Sequence, residues 1–183
     1  MNKILVCVED SLLSIRIKRF LTEKRFVTEI TKNPIKTEEL NKYDIVIIHS
    51  SYRIANLFGF IENLVLKNIV PVIYLSMNPH VGLIQRLNQY ANFTIIDEIK
   101  MDAELPLAVV LHGKFVQKTK ILEAENKKLK IKSQNDKTFL ECKYYLISTG
   151  LSEDEAHHKI IKLAMDNKIN KYQMADRILK EKL

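Results

Sequence analysis

The stretch Asp44-Ile-Val-Ile-Ile-His49 is continuously apolar between its two polar ends. Its length and its content of isoleucine and valine are typical of a central strand in a parallel sheet, where both faces are covered. Four similar runs lie elsewhere in the chain, at Ile4–Val8, Val27–Ile30, Val70–Leu75 and Phe93–Ile96. The sequence therefore predicts five strands, with Ile45–Ile48 as the third.

Helical patterns separate these strands. They cover about Leu12–Leu21, Ile54–Leu66 and Val81–Tyr90, whereas the segment around Thr37–Lys42 is too short to predict a helix. Strands that alternate with helices indicate a parallel sheet whose crossovers cover both faces. We therefore predict a doubly wound α/β domain of flavodoxin-like topology over residues 1–111.

Composition narrows the class of protein. The 183 residues are 46% hydrophobic and 28% charged, which is within the range of a soluble globular protein. No apolar run approaches the ~20 residues that span a bilayer, so we expect no membrane partner. Cys7 and Cys142 are too few and too far apart for a disulfide framework or a zinc site. This cysteine usage favours a reducing cytoplasm.

The net charge of +7 is unevenly distributed. Residues 112–183 hold 16 Lys and Arg against 10 Asp and Glu, whereas residues 1–111 hold 13 against 12. Lys and Arg contacts to phosphate supply most non-specific affinity for nucleic acids, so the basic part is compatible with a polyanionic partner. A lysine-rich solvated surface explains the same numbers, and charge alone favours that simpler interpretation.

The residues that follow the strands resemble the response-regulator receiver family over about residues 1–110. That family places an acidic pair after the first strand, an acceptor Asp at the end of the third, Thr or Ser after the fourth and Lys after the fifth. The resemblance implies a carboxylate pocket of the kind that suits Mg²⁺. The matching positions here form a degenerate phosphorylation pocket, which consists of Glu9, Asp10, His49, Ser76 and Asp97.

Several of these positions depart from the family's pattern. The frame we prefer puts the acidic pair on Val8 and Glu9, and a shift of one residue restores Glu9 and Asp10. His49 stands at the acceptor position, and Asp97 or Glu98 stands at the lysine position. A histidine cannot form an acyl phosphate, although a phosphohistidine is chemically possible. We predict a pseudo-receiver without acyl-phosphate phosphorylation, and we expect no cofactor and no metal.

A heptad pattern follows the α/β domain. Leu105–Leu111 predicts the last helix of that domain, and the helical pattern continues to about Ile131. Hydrophobic residues recur every seven positions as d residues, and polar residues occupy the a positions between them. The predicted seam consists of Phe115, Thr119, Leu122, Asn126 and Leu129.

This seam favours a parallel homodimer. A leucine seam with Asn at one a position sets the register of parallel coiled coils at some cost in stability. The flanking pairs Lys118 with Glu123 and Glu125 with Lys130 would attract each other across such a dimer. Only about two heptads are present, so a single connecting helix is the alternative. We assign residues 112–136 to this linker and predict a hinge or frayed turn at residues 132–138.

Residues 137–183 have the pattern of three short helices. The first is predicted over Phe139–Thr149, ending at Gly150, a residue type that favours the position after a helix. Two capping-box patterns then mark the next two helices, the first being Ser152 with Glu155 and the second Asn170 with Gln173. The second helix extends to about Asn167. The apolar stripes of the last two helices contain Ala156, Ile160, Leu163, Ala164, Tyr172, Ala175, Ile178 and Leu179.

This C-terminal pattern resembles the ANTAR domain, an RNA-binding module of bacterial transcription antiterminators. The resemblance covers about residues 137–182. It rests on Gly150-Leu-Ser-Glu-Asp-Glu-Ala156, on Lys143 with Leu146, and on Ala164-Met165 with Ala175. His157 stands where an aromatic residue is common, and Ile161 stands where a basic one is frequent.

The ANTAR resemblance implies recognition of short RNA stem-loops in leader transcripts. Loop bases can be read by polar side chains and small-residue surfaces while Lys and Arg hold the backbone. The residues expected to contact RNA are Lys143, Lys159, Lys162, Lys168, Lys171, Gln173 and Arg177.

Together these patterns predict a cytoplasmic, non-enzymatic regulator of antitermination that binds leader stem-loops as a dimer. Its receiver-like domain would be controlled by a partner protein or by oligomerisation. Two alternatives are a DNA-binding regulator of helix-turn-helix type and a protein-interaction adaptor with a basic helical tail. An enzyme is not predicted, because the sequence has no Gly-rich phosphate loop, nucleophile elbow or metal-ligand pair.

Overall fold

The computed structural model describes residues 3–78 and 80–181, and the chain divides into two compact units, Met1–Lys120 and Ile121–Leu183. The outer ends of the first and third predicted domains, at residues 1–2 and 182–183, lie outside the described residues. A long helix passes from the first unit into the second. The division into domains at residues 1–111, 112–136 and 137–183 stays a prediction.

Five parallel strands form the sheet of the first unit. Their order is β2-β1-β3-β4-β5, so β1 lies between β2 and β3. Ile4 of β1 pairs with Ile45 of β3 at the centre of the sheet. This order is the flavodoxin-like one, which confirms the predicted topology. The strands are β1 (Lys3–Cys7), β2 (Val27–Thr31), β3 (Ile45–His49), β4 (Val72–Ser76) and β5 (Phe93–Asp97).

Helices cover both faces of this sheet. They are α1 (Ser11–Glu23), α2 (Leu57–Leu66), α3 (Val81–Leu87) and the start of α4 (Met101–Ser148). Since successive strand side chains point to opposite faces, the central strands β1, β3 and β4 contribute to two separate core layers. One layer packs against α2 and α3 and includes Leu5, Cys7, Val46, Ile48, Val72 and Tyr74. The other packs against α1 and α4 and includes Ile4, Val6, Ile45, Ile47, Ile73 and Leu75.

The crossover between β2 and β3 contains only a single 3-10 helix, Thr37–Lys42. Its Leu40 is fully buried among the residues that α2 covers. One buried leucine is enough to hold this short segment on the sheet, which explains why the sequence shows no helical periodicity there.

The predicted hinge at residues 132–138 is wrong, because α4 continues through it to Ser148. The segment contains neither Gly nor Pro, so nothing in it breaks a helix. Thr138 Oγ1 donates to the carbonyl of Gln134 at 3.0 Å, and Lys137 lies 3.7 Å from Glu141 one turn later. The lack of apolar residues therefore indicates an exposed helix rather than a break.

The C-terminal helices end and begin where the sequence predicts. Gly150 has φ of 101°, a left-handed conformation that glycine adopts without strain. The hydroxyl of Ser152 accepts from the amide of Glu155, and the Glu155 carboxylate accepts from the amide of Ser152 at 2.8 Å. The helices that follow are α5 (Glu153–Asp166) and α6 (Lys171–Glu181).

The three helical segments share one apolar core. Its buried members are Phe139, Cys142, Leu146, Ala156, Ile160, Ala164, Met174, Ala175 and Ile178. Leu163, Tyr172 and Leu179 pack against this core and are partly buried. The predicted stripes are therefore confirmed, and Met174 is an addition to them. Across the described residues, no helix combines the length and apolar character that crossing a membrane requires.

Candidate functional site

A cavity of about 480 Å³ opens at the carboxyl edge of the sheet, beside the ends of β1, β3 and β4. Ligands of open α/β sheets bind at this edge, where the strand order reverses. The predicted pocket residues Asp10, His49 and Ser76 line it, whereas Glu9 and Asp97 do not. The remaining lining residues are Leu13, Ser50, Ser51, Leu57, Phe58, Tyr74, Met77, Asn78 and Glu98.

His49 is the most connected side chain in this cavity. It is the last residue of β3 and is 6% exposed. Its Nδ1 accepts from the backbone N–H of Ser51 at 3.1 Å and lies 2.7 Å from the Ser51 hydroxyl. Its Nε2 lies 3.0 Å from Oε2 of Glu98. Because Nδ1 is an acceptor, the ring proton belongs on Nε2, which donates to the Glu98 carboxylate.

Glu98, rather than Asp97, is the acid that faces His49. The Asp97 carboxylate instead accepts from the backbone N–H of Ile99 at 3.0 Å and so caps a 3-10 turn after β5. Of the two residues predicted at the lysine position, Glu98 therefore lines the cavity and Asp97 does not. Asp97 is the last residue of β5, and Glu98 begins the turn that brings its side chain to the cavity. A histidine at the end of β3 thus faces a carboxylate that follows β5.

The residues at the predicted acidic pair after β1 relate differently to the cavity. In the preferred frame, the first position of the acidic pair falls on Val8. This residue is fully buried among the residues that pack on α1. Asp10 lines the cavity, and its Oδ1 accepts from the N–H of Leu13 at 2.8 Å as the cap of α1. Glu9 contributes its backbone N–H, which donates to the Ser51 hydroxyl at 3.2 Å. Of these two acidic residues, only Asp10 therefore lines the cavity.

Ser76 matches its predicted location at the end of β4. It is 3% exposed, and its hydroxyl accepts from the N–H of Asn78 at 3.2 Å.

Within residues 3–78 and 80–181, no group of three or more His, Cys, Asp or Glu side chains could hold a metal ion. Burial raises the pKa of the Cys7 thiol to about 12 and that of Cys142 to about 11. Both thiols are therefore protonated at neutral pH.

Sequence reasoning missed Ser51. Its contact with His49 depends on the turn after β3, where the N–H of Tyr52 donates to the carbonyl of His49 at 2.9 Å. A serine two residues after a strand-end histidine is the only available signal, and it is a weak one. Glu98 was named only as an alternative to Asp97 at the lysine position.

The predicted seam residues lie on the continuous α4. Phe115 and Thr119 are partly buried, whereas Asn126 is exposed. Leu122 is 48% exposed and Leu129 is 63% exposed in the single chain. The structure thus places all five on one uninterrupted helix, with two d-position leucines open to solvent.

The predicted RNA-contact residues fall into two groups. Lys159, Lys162 and Lys168 are exposed and form no ion pair within the described part of the chain. Lys159 and Lys162 line the same shallow groove on α5, together with Ile161 and Met165.

The other four residues already have partners within the second unit. Lys143 lies 2.5 Å from Glu153, and Arg177 lies 3.0 Å from Glu181. The Gln173 amide oxygen accepts from the N–H of Asn170 at 3.3 Å as part of a cap. The Lys171 ammonium sits over the rings of Phe139 and Tyr172, at 5.0 and 5.1 Å from their centroids.

Comparison with known proteins finds distant likenesses in structure. No family model matches the chain, and no curated protein matches it. A fusion structure with a yeast trimeric coiled coil has a TM-score of 0.49 at 14% identity, covering 73% of this chain and 94% of that chain. A pilus assembly-related protein of Burkholderia pseudomallei has a TM-score of 0.47 at 17% identity, covering 61% of this chain and 91% of that chain. The RcsB response regulator of Salmonella typhimurium has a TM-score of 0.48 at 12% identity, covering 96% of this chain and 88% of that chain.

The class of the first unit follows from the chain's own strand order. It is an α/β domain of flavodoxin-like fold, and a long helix follows it.

Proposed function

We propose that the protein is an RNA-binding regulator of transcription antitermination that binds stem-loops in leader transcripts as a dimer. The observation that carries this proposal is the C-terminal module. The residues that resemble the ANTAR domain occupy distinct structural roles there: Gly150 ends α4, Ser152 and Glu155 cap α5, and Ala156 and Ala164 are buried in the core. This arrangement supports the module as a folded whole.

Exposed lysines on and just after α5 support RNA as the partner. Lys159 and Lys162 extend from one groove of α5, and Lys168 follows the same helix. Phosphate contacts of this kind position an RNA, while unpaired loop bases carry the sequence information. The neighbouring Ile161 and Met165 add apolar surface against which a base can pack, since Met165 is 73% exposed.

The long helix supports a dimer. A helix whose leucines are exposed at heptad spacing gains stability when a second copy covers them. α4 continues through residues 132–138, so Leu140, which is 50% exposed, falls at an a position of the same frame, after Ser133 at a and Asp136 at d. A parallel pair would therefore align two C-terminal modules, as binding to tandem stem-loops requires.

Control of the receiver-like domain would come from a partner protein or from oligomerisation, without phosphorylation. The acceptor position holds His49, whose two ring nitrogens already have partners in Ser51 and Glu98. A phosphoryl group on either nitrogen would have to break one of these contacts.

The first test is a gel shift with the full chain, a tandem stem-loop RNA, a scrambled RNA of equal length and the equivalent duplex DNA, over a salt series. Preference for the stem-loops that persists at moderate salt supports the proposal. Equal binding to the scrambled RNA contradicts it, and preference for duplex DNA would favour the DNA-binding alternative. No binding to any of the three at low salt would favour the adaptor.

A pair of matched variants separates specific contacts from bulk charge. K159A/K162A should weaken stem-loop binding and reduce the salt dependence by about two phosphate contacts. K127A/K128A removes the same charge from exposed outer positions of α4 and should leave binding nearly unchanged. Equal losses in the two variants would mean that the lysines act only through net charge.

A second pair of matched variants tests dimerisation. L122A/L129A removes two d-position leucines, whereas I121A/I131A removes two isoleucines that are similarly exposed but point away from the seam. Sedimentation equilibrium should show a weaker dimer for the first variant only. A wild-type chain that stays monomeric with and without RNA would overturn the dimer.

A further inference from the structure

Three side chains at the edge of the sheet are connected in series. The Ser51 hydroxyl lies 2.7 Å from Nδ1 of His49, and Nε2 of the same ring lies 3.0 Å from Glu98. A hydroxyl, an imidazole and a carboxylate joined in this order form a proton relay that is recognised by geometry rather than by position in the chain. The carboxylate fixes the proton on Nε2, so Nδ1 is the basic nitrogen; it accepts from the backbone N–H of Ser51 at 3.1 Å and lies within reach of the Ser51 hydroxyl proton.

The surroundings of Ser51 allow a small molecule to reach it. Ser51 is partly exposed and lines the cavity of about 480 Å³. The N–H of Glu9 donates to its hydroxyl at 3.2 Å, which orients the oxygen. The apolar lining residues Leu13, Leu57, Phe58 and Met77 provide space for a short acyl chain.

We propose that Ser51 is a site of covalent acylation by small activated acyl donors. The Ser51 oxygen attacks the acyl carbon as its proton moves to Nδ1 of His49. The bond from that carbon to the leaving oxygen or sulfur then breaks. The proton on the imidazole passes to the leaving group, and the serine keeps the acyl group as an ester. One acyl group is taken up by each chain, so no oxidant, reductant or turnover is needed.

Ser50 is the matched control because it lines the same cavity and is more exposed than Ser51. Its backbone N–H donates to Leu75, and the described contacts give its side chain no link to His49. Exposure alone would therefore favour Ser50, whereas activation by His49 favours Ser51.

The experiment treats the full chain with 4-nitrophenyl acetate at neutral pH and locates the acetyl group by peptide mass spectrometry. The folded wild type and S50A should carry it on Ser51, and S51A should lose it. H49Q should slow acetylation of Ser51 by about 100-fold, the lower end of the range for a general base. E98Q should slow it as well.

A reference in denaturing urea makes the test independent of how the variants fold. Selectivity for Ser51 over Ser50 should be present in the native wild type and absent in the unfolded chain. Faster acetylation of Ser50 in the native protein would overturn the proposal. An unchanged rate at Ser51 in folded H49Q would do the same.

Discussion

Two clusters in this chain pair a serine with a glutamate, and they differ in exposure. At the edge of the sheet, His49 connects Ser51 to Glu98, with the His49 and Glu98 side chains 8% and 21% exposed. At the start of α5, Ser152 and Glu155 form a capping box directly, with the hydroxyl 2.7 Å from the carboxylate, and both residues are exposed.

This difference in exposure decides what each cluster can contribute. A covered polar group that loses its partner cannot turn to water, so breaking a buried pair costs several kcal/mol. An exposed cap exchanges its partner for water and contributes about 1 kcal/mol. The edge cluster therefore fixes the ends of β3 and β5 relative to each other, whereas the capping box mainly sets where α5 begins.

The largest effect should come from changing the charges of the partly buried pair His49 and Glu98. H49D would place a second carboxylate against Glu98 in a covered site, and we expect the free energy of unfolding to fall by about 3–5 kcal/mol. H49D/E98K restores an opposite-charge pair and should recover part of that loss. Urea denaturation of the wild type, H49D, E98K and H49D/E98K gives the coupling energy between positions 49 and 98.

An exposed pair provides the control for this cycle. Arg19 and Glu23 lie 3.1 Å apart on α1 with side chains that are 82% and 60% exposed, so R19A should cost less than about 1 kcal/mol. If the double variant H49D/E98K is as unstable as H49D, the pair does not couple β3 to β5.

A smaller effect is expected at the capping box. S152A removes the hydroxyl that accepts from the amide of Glu155, and it should lower the stability of the C-terminal module by about 1 kcal/mol. S133A makes the same change at an exposed position within α4, where no cap is lost. Equal thermal shifts for the two variants, followed by circular dichroism, would show that the box does not stabilise the module.

The same comparison explains what the sequence could predict. Strands and caps were predictable because each depends on neighbours in the chain: Ile45–Ile48 is continuously apolar, and Ser152 lies three residues before Glu155. The edge cluster was only partly predictable, because Glu98 approaches His49 across 49 positions. The false hinge at residues 132–138 arose from treating the absence of apolar residues as the absence of a helix.

Acidification should weaken the capping box. Hydrogen bonds from Ser152 lower the pKa of the Glu155 carboxyl below its ordinary value of 4.5. A lowered pKa in the folded state means that the stabilisation is complete above the ordinary value and is lost as pH falls through the lowered one. The stability difference between wild type and E155A should thus be constant near neutrality and shrink on acidification. A difference that grows below the ordinary carboxyl range would contradict this assignment.

The smallest effect should appear in RNA affinity at the same turn. Glu153 lies 2.5 Å from Lys143 and is 75% exposed, so a phosphate of the proposed RNA partner would have to compete with it for the lysine. E153Q should therefore tighten stem-loop binding in the gel shift by at most about fivefold, since exposed ion pairs are weak. D154N removes the same charge from the next residue and measures the non-specific part of that gain. If D154N tightens binding as much as E153Q, then freeing Lys143 from its ion pair with Glu153 does not increase RNA affinity. The exposed turn would then affect RNA binding only through its net charge.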